Sequence, residues 1–272
     1  MATEEKDYVL GTHDEEIARL GLQHRVWRPR ATAAWKRARF TAGQKLIDIG
    51  CGPGFAALDL AEIVGPSGRV LAVDRSRRFL DALEAAARQR RLAQLEVREM
   101  DLDEQPLPEI GADGAWSSWV FAFVRHPRRL LERVRAALRP SGTFVSHEYV
   151  DYRTWRLSPR REAFEFFVSQ VMVSWRENGG EPDIALDLPR WLEELGFDVV
   201  ERRPIVEAPK PADFTWQWPR AFVDTGIARL VDLGRMTKEQ AKAASDAFAE
   251  VEADPHGFCV LPTVLETIAI RR

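Results

Sequence analysis

The hydrophobic positions in the first half of the chain alternate between two periods. Short apolar runs predict buried strands at 45–49, 69–74, 95–100, 112–120 and 143–149. Apolar residues at helical spacing predict the intervening helices at 55–64, 76–90 and 126–138. Because strands that alternate with helices of this length pair in parallel through crossover connections, we expect a doubly wound sheet.

A helical pattern also precedes the first strand. Ile17, Leu20, His24 and Trp27 recur at helical spacing, and Asp14 is suited to be the N-cap. Pro29 is expected to limit this helix, with a second short helix over 32–40.

The pattern changes after residue 149. Helices are predicted at 160–176, 188–195 and 216–233, strands at 197–201 and 258–270, and a capping box at 237–240 opens a helix to about 253. The predicted fold class is α/β. We expect a doubly wound, mostly parallel, seven-stranded Rossmann-like sheet with helical insertions after strand five and before the last strand.

This order divides one domain into four segments. We expect an N-terminal helical cap over 1–40, a ligand-binding core over 41–150 and a helical lid over 151–185. Residues 186–272 complete the core, with inserted helices at about 213–253 and the closing strand.

Composition restricts the partners and the cellular location. The 272 residues include 39 basic and 42 acidic side chains, a net charge of −3, which gives no reason to expect nucleic acid or an anionic membrane. The start, MATEEKDYVL, lacks the basic and apolar parts of a secretory signal, and no apolar run is long enough to span a bilayer. We therefore expect a cytoplasmic protein without a metal site, and a homodimer remains an open alternative.

The stretch DIGCGPGF, residues 48–55, is the strongest motif. It follows an apolar strand and contains Gly50, Gly52 and Gly54, so backbone can lie directly against a ligand. The dinucleotide fingerprint requires a third glycine at position 55, where this chain has Phe, and a P-loop requires a lysine that is absent here.

Further motifs follow at the ends of successive predicted strands. They are RVLAVDRS with Asp74, EMDLDE with Asp101, DGAWSSWVFAFVRHP over 113–127, and LRPSGTFV over 138–145. Together with DIGCGPGF, they resemble the class I S-adenosylmethionine-dependent methyltransferases over about residues 45–150. The resemblance is strongest to the small-molecule type found in ubiquinone and menaquinone biosynthesis.

The resemblance implies that S-adenosyl-L-methionine is the cofactor, with S-adenosyl-L-homocysteine as the product. It assigns Asp48 to the ammonium group, the three glycines to the methionine and ribose portions, and Asp74 to the ribose hydroxyls. Arg75, Asp101 and Leu102 would contact the adenine, and Ser117 and Ser118 would approach the methionine part. A weaker match of YVLGTHDEEIARLGLQ implies that Tyr8 and Gln23 close over the cofactor.

Candidate catalytic residues lie at the carboxyl end of strand five. His147 titrates near neutrality and is the natural base, and Glu148 is the second candidate. A histidine that only hydrogen-bonds a neighbouring loop is the competing interpretation of His147.

The inserted helices are rich in aromatic residues, including Trp216 and Trp218, and are expected to form the acceptor pocket. The predicted activity is methyl transfer, by in-line attack on the sulfonium methyl, to a small or medium organic acceptor of apolar or aromatic character. Two alternatives remain open. One is a cofactor-binding regulator or scaffold without catalysis, and the other is an NAD-type oxidoreductase.

Overall fold

The computed structural model describes residues 14–272, and Tyr8 therefore lies outside the described residues. Its central feature is a seven-stranded sheet in the order β3-β2-β1-β4-β5-β9-β7. The strands are β1 Lys45–Ile49, β2 Arg69–Asp74, β3 Leu95–Glu99, β4 Ala112–Ser118, β5 Leu138–Asp151, β7 Phe197–Ile205 and β9 Thr263–Arg271.

Strands β1 to β5 pair in parallel, whereas β9 lies antiparallel between β5 and β7. The order of the parallel strands reverses between β1 and β4, on either side of the cleft described below. In open α/β sheets, ligands bind at such a switch point, beyond the carboxyl ends of the strands. The predicted α/β fold class, with a mostly parallel seven-stranded sheet, is confirmed.

The helices lie between the strands in the chain and within the inserted segments. They are α1 Asp14–Arg37, α2 Phe55–Val64, α3 Arg77–Arg90, α4 Pro127–Ala137, α5 Glu162–Glu177, α6 Leu188–Glu194, α7 Gln217–Asp232 and α8 Lys238–Ala253. The predicted capping box is present, since Thr237 pairs with Gln240 at the start of α8. Ser76 caps α3 by accepting a hydrogen bond from the Phe79 amide.

The prediction that Pro29 ends the first helix is wrong. Helix α1 is continuous from Asp14 to Arg37, with Pro29 inside it. An internal proline costs about 3 kcal/mol or more in a helix. Burial of side chains on both sides of it, including Trp27 and Trp35, offsets this cost.

The predicted closing strand at 258–270 is also divided. Residues Phe258–Val260 form β8, which pairs with β6, Arg156–Ser158, in a separate two-stranded sheet. Pro262 interrupts the run, because a proline cannot donate to a strand ladder, and β9 begins at Thr263. The inserted helices α5 and α8 pack against this small sheet, and α7 packs against α5 and α8. Together with residues of α1, β5 and β9 they form one apolar core.

Candidate functional site

The glycine loop after β1 depends on three left-handed backbone positions. Gly50, Gly52 and Gly54 have φ of +64°, +54° and +82°, a region that residues with a side chain enter at a cost. A Cβ at Gly50 would lie 2.4 Å from a Val120 methyl carbon, and one at Gly54 would lie 2.2 Å from a Leu83 methyl carbon. A Cβ at Gly52 would meet nothing within 4 Å, so backbone at this position is bare and accessible.

The loop forms one wall of a cleft of about 1300 Å³, including its open mouth. The opposite walls come from α1 and from the ends of β2, β4 and β5. Of the residues predicted to bind the cofactor, the cleft wall includes Gln23, Asp48, Gly50, Gly52, Asp74, Arg75, Asp101, Leu102 and Ser118.

Asp74, at the end of β2, fixes the shape of the loop. Its Oδ2 accepts a hydrogen bond from the Gly52 amide at 2.9 Å, and its Oδ1 accepts one from the Ser76 amide at 2.9 Å. Burial raises the pKa of Asp74, and these two amides oppose the shift. Each carboxylate oxygen has a second lone pair, so Asp74 can also accept from ligand hydroxyls.

Asp48, at the end of β1, is the least compensated carboxyl of the cleft. It is 2% exposed, and its Oδ2 has no hydrogen-bond partner among residues 14–272. Burial, followed by the charge of Asp74, raises its pKa to about 8. A buried carboxyl without a partner is costly, and a cationic ligand group beside it would favour its charged form.

Gln23 connects the cleft to the inserted helices. Its Oε1 accepts hydrogen bonds from Arg19 Nη1 at 3.3 Å and from Trp218 Nε1 at 3.0 Å. Arg19 is in turn bound at Nε and Nη2 by both oxygens of Glu16, each at 2.7 Å. Glu16, Arg19 and Gln23 thus form a polar cluster on α1 that contacts the first turn of α7 through Trp218.

Three predicted site residues lie outside the cleft wall. The Cα of Gly54 faces Leu83, so its role is to let the loop pack on α3. Ser117 and Ser118 alternate faces on β4, and the fully buried Ser117 faces away from the cleft. Glu148 likewise points away, and its Oε1 accepts hydrogen bonds from the Val120 and Phe121 amides at 2.7 and 2.9 Å.

Glu148 therefore fixes the segment after β4. Burial raises its pKa to about 7, and the amides of the segment oppose that shift. The segment begins at Trp119, which has a φ of +53° and donates its amide to the His147 carbonyl at 2.9 Å. A left-handed tryptophan is a strained conformation that surrounding contacts must hold, and such positions concentrate at functional sites.

His147 is fully buried and lies in the cleft wall. Its Nε2 is 2.9 Å from Glu266 Oε2, and Glu266 also forms an ion pair with Arg37 of α1. The ring is packed edge-on against Trp116 and Trp27, at 4.9 and 5.9 Å between centroids. Burial lowers the pKa of His147, against the hydrogen bond and charge of Glu266, which raise it.

Sequence reasoning missed Glu266, His24, Trp27 and Trp119 as site residues. Glu266 is 119 positions from His147, and only the pairing of β5 with β9 brings the two together. The spacing of His24 and Trp27 on α1 indicated a buried helical face, but not that this face covers the cleft.

A second cavity, of about 530 Å³ including space open to solvent, adjoins the first and shares Leu20, Gln23, Trp119 and Phe123 with it. We call it the aromatic chamber. Its other aromatic lining residues are Tyr149, Tyr152, Trp155, Trp175, Trp218 and Phe222. Its ionisable lining residues are Arg19, already paired with Glu16, and the two tyrosines, so the chamber has no uncompensated charge.

No helix formed by residues 14–272 is both long and apolar enough to cross a membrane. Over the same residues, no cluster of three or more histidine, cysteine or acidic side chains has the arrangement of a metal site.

Comparison with known proteins agrees with this geometry. The family described as "Methyltransferase domain" matches residues 47–146. An uncharacterized 37.1 kDa protein of transposon TN4556 from Streptomyces fradiae is 36% identical over 176 residues, covering 62% of this chain and 48% of that protein. The chain thus spans about half the length of this relative.

The demethylmenaquinone methyltransferase of Oceanobacillus iheyensis is 26% identical over 195 residues, covering 66% of this chain and 79% of that enzyme. Among solved structures, the geranyl diphosphate C-methyltransferase from Streptomyces coelicolor superposes with a TM-score of 0.59 at 17% identity, over 96% of this chain and 86% of that one. At this identity the structural likeness concerns the fold alone.

The match over residues 47–146 and these sequence relatives support the class I S-adenosylmethionine-dependent methyltransferase that the motifs predicted, and S-adenosylmethionine is the cofactor of that class. Within the class, its sequence relatives support the resemblance to the quinone-type methyltransferases that the motifs predicted.

Proposed function

We propose that this protein transfers the methyl group of S-adenosylmethionine to a small or medium organic acceptor with an aromatic framework. The observation that carries the proposal is the cleft at Gly52. Bare backbone lies there between Asp74, whose oxygens hold the loop, and Asp48, whose buried Oδ2 lacks a partner.

The cleft residues fit this cofactor in charge and in shape. The uncompensated Asp48 suits the ammonium group, and Asp74 has lone pairs for the ribose hydroxyls. Met100, Asp101 and Leu102 line the part of the cleft beyond β3 and suit a flat heterocycle with an amino group. Arg75 also lines the wall there, and Gln23 and Ser118 are the remaining proposed contacts.

The bound cofactor supplies an electrophilic methyl group on a sulfonium. The chain must then hold an acceptor in line with it and exclude water. The aromatic chamber, which opens beside Trp119, is the proposed acceptor site, because its rings provide flat apolar walls and no uncompensated charge. A planar aromatic acceptor therefore fits it better than a charged aliphatic one.

Calorimetry with S-adenosylmethionine, S-adenosylhomocysteine and NAD tests the cofactor assignment. We expect both sulfur compounds to bind and NAD to give no heat. Binding of NAD alone would overturn the proposal in favour of an oxidoreductase.

An acceptor screen tests the activity, with release of S-adenosylhomocysteine as the signal. We expect turnover with phenolic one- and two-ring compounds and none with nucleic acid or protein. Tight cofactor binding without turnover across phenols, naphthols, quinols, aromatic amines and thiols would favour the non-catalytic regulator instead.

A further inference from the structure

A row of side chains crosses the sheet from the glycine loop to the far strands. Ser118 of β4 pairs in register with His147 of β5, and His147 pairs with Glu266 of β9. Residues directly opposite one another in a sheet project from the same face. Ser118 and His147 both line the cleft, so Glu266 lies behind His147 as seen from the cofactor site.

Glu266 is held as an anion. It is 1% exposed, and its two oxygens are bound separately, Oε1 by Arg37 and Oε2 by His147. Burial alone would raise its pKa, but the hydrogen bond from His147 and the charge of Arg37 hold the pKa of Glu266 below its usual value. Arg37 is itself fixed by a second carboxylate, since its Nε donates to Glu201 Oε2 at 3.0 Å.

An anionic carboxylate can only accept hydrogen bonds, and this decides the tautomer of His147. Nε2 must carry the proton that it donates to Glu266, which leaves the lone pair of the neutral ring on Nδ1. That nitrogen is buried and has no hydrogen-bond partner among residues 14–272. A buried acceptor atom in a cleft wall without a partner is expected to gain one from a ligand.

We propose that Nδ1 of His147 accepts a proton from the methyl acceptor and that Glu266 is the residue that positions it. The acceptor would then carry an ionisable hydroxyl on its aromatic framework, as a phenol does. This inference rests on the proposed function and extends it: His147 lines the cofactor cleft and not the aromatic chamber, so the framework of the acceptor would lie in the chamber and its hydroxyl would extend into the adjoining cleft, which shares Trp119 with the chamber.

The step balances in atoms and in charge. The O–H bond of the acceptor breaks, its proton joins Nδ1, and the electron pair left on the acceptor is available for the new bond to carbon. The electron pair of the S–CH₃ bond stays on sulfur, so positive charge moves from the sulfonium to the imidazolium. Glu266 lies against that imidazolium and stabilises it.

The charged groups that face the ring come from two elements. Glu266 of β9 favours the protonated ring, whereas Arg37 and Arg30 of α1 oppose it. Arg30 is largely compensated by its ion pair with Glu207. The remaining ring contacts, Trp27 and Trp116, are uncharged.

The same contacts would also serve a purely structural role, in which Glu266 joins α1 to the sheet. Both roles predict that loss of Glu266 lowers the free energy of unfolding. The tests must therefore read the protonation of His147 and its interaction with an acceptor.

The first test is ¹⁵N NMR of the histidine rings in the wild-type protein without ligand, with His147 identified by its absence in His147→Gln. We expect a neutral ring at pH 7.5 with the proton on Nε2. A ring protonated on Nδ1 at this pH would overturn the proposal. Loss of the carboxylate in Glu266→Gln should shift the titration of His147 to lower pH, whereas Glu201→Gln, which loses only the outer contact with Arg37, should leave it nearly in place.

The second test measures binding to the complex with S-adenosylhomocysteine, with 1-naphthol and 1-methoxynaphthalene as matched probes. We expect the wild type to bind the naphthol about tenfold more tightly than its ether, the value of one hydrogen bond of about 1.4 kcal/mol. His147→Gln and Glu266→Gln should lose most of this difference, and Glu201→Gln should keep it. Equal binding of the two probes, or binding of neither, would overturn the inference.

The S-adenosylhomocysteine affinity of the same variants distinguishes a failure of this inference from a failure of the proposed function. If the cofactor product binds the wild type while the probes do not discriminate, only the role of His147 fails. If S-adenosylhomocysteine itself does not bind, the proposed function fails first.

Discussion

The cofactor cleft and the aromatic chamber adjoin, yet they are built in opposite ways. The cleft takes its carboxylates from the ends of consecutive parallel strands, at Asp48, Asp74 and Asp101, and its shape from three glycines. The chamber takes its rings from helices, loops and strands spread over most of the chain, and its wall has one paired arginine. The cleft thus offers the cofactor polar groups at fixed positions, whereas the chamber offers the proposed acceptor apolar walls.

The largest effect is expected at Gly54, which packs against α3 and does not line the cleft. Gly54→Ala places a methyl group against Leu83 in a left-handed backbone, so strain and overpacking should together lower the free energy of unfolding by about 3 kcal/mol. Urea denaturation measures this.

Gly52→Ala is the matched control for that variant. Its φ is also left-handed, but its methyl group would meet no protein atom. We expect a loss of only about 1–2 kcal/mol in the free energy of unfolding and a larger fall in S-adenosylmethionine affinity than in Gly54→Ala. The reverse order in affinity would show that Gly52 is not the bare surface of the cleft.

Asp74→Ala should act on the cleft and spare the chamber. It removes two charged hydrogen bonds to the loop and the proposed ribose contact, so S-adenosylmethionine affinity should fall by about 2 kcal/mol, or roughly thirtyfold. Calorimetry measures this, with Asp81→Ala on the outer surface of α3 as the control. Unchanged affinity in Asp74→Ala would remove Asp74 from the site.

Asp48 should make cofactor binding dependent on pH. Its pKa of about 8 means that the carboxyl is protonated in the free protein at neutral pH. A ligand ammonium favours the carboxylate and lowers this pKa, so binding should release nearly one proton at pH 7. Affinity should therefore fall as pH drops below 8, by at most tenfold, about 1.4 kcal/mol, for each pH unit.

Calorimetry of cofactor binding in buffers of different ionisation enthalpy counts the proton released with Asp48. Asp48→Asn should abolish the release. Proton release that persists in this variant would assign it to another group.

Trp218→Phe should have the smallest effect and act on the chamber alone. It keeps an aromatic wall but removes the hydrogen bond from Nε1 to Gln23, a loss of about 1 kcal/mol. We expect a higher KM for a phenolic acceptor with little change in S-adenosylhomocysteine affinity. A larger change for the cofactor product than for the acceptor would mean that Gln23 acts mainly on the cleft.

The contrast between the two regions also explains what the sequence could predict. Each of these carboxylates lies at or just beyond the carboxyl end of a predicted strand, and the carboxyl ends of parallel strands share one edge, so Asp48, Asp74 and Asp101 could be placed together from local pattern alone. Gly54, Ser117 and Glu148 were predicted beside them because a motif shows adjacency along the chain and not the face on which a side chain projects.

The chamber and the partner of His147 required information that local pattern lacks. Trp216 and Trp218 indicated an aromatic insertion, but not that Trp119 and Tyr149 of the core would meet it. Glu266 could not be paired with His147 because the register between β5 and β9 depends on where Pro262 ends one strand and β9 begins. The continuity of α1 through Pro29 likewise reflects burial against the rest of the protein.

The place of β9 bears on how the molecule assembles during synthesis. Strands β1 to β5 can associate as they emerge, because every strand that each of them pairs with in parallel has been made by residue 151. Strand β7 is made earlier than β9 but contacts the sheet through it, so it has no place to dock until residues 263–271 arrive. The donor half can thus be complete on a nascent chain that still lacks the carboxylate behind His147.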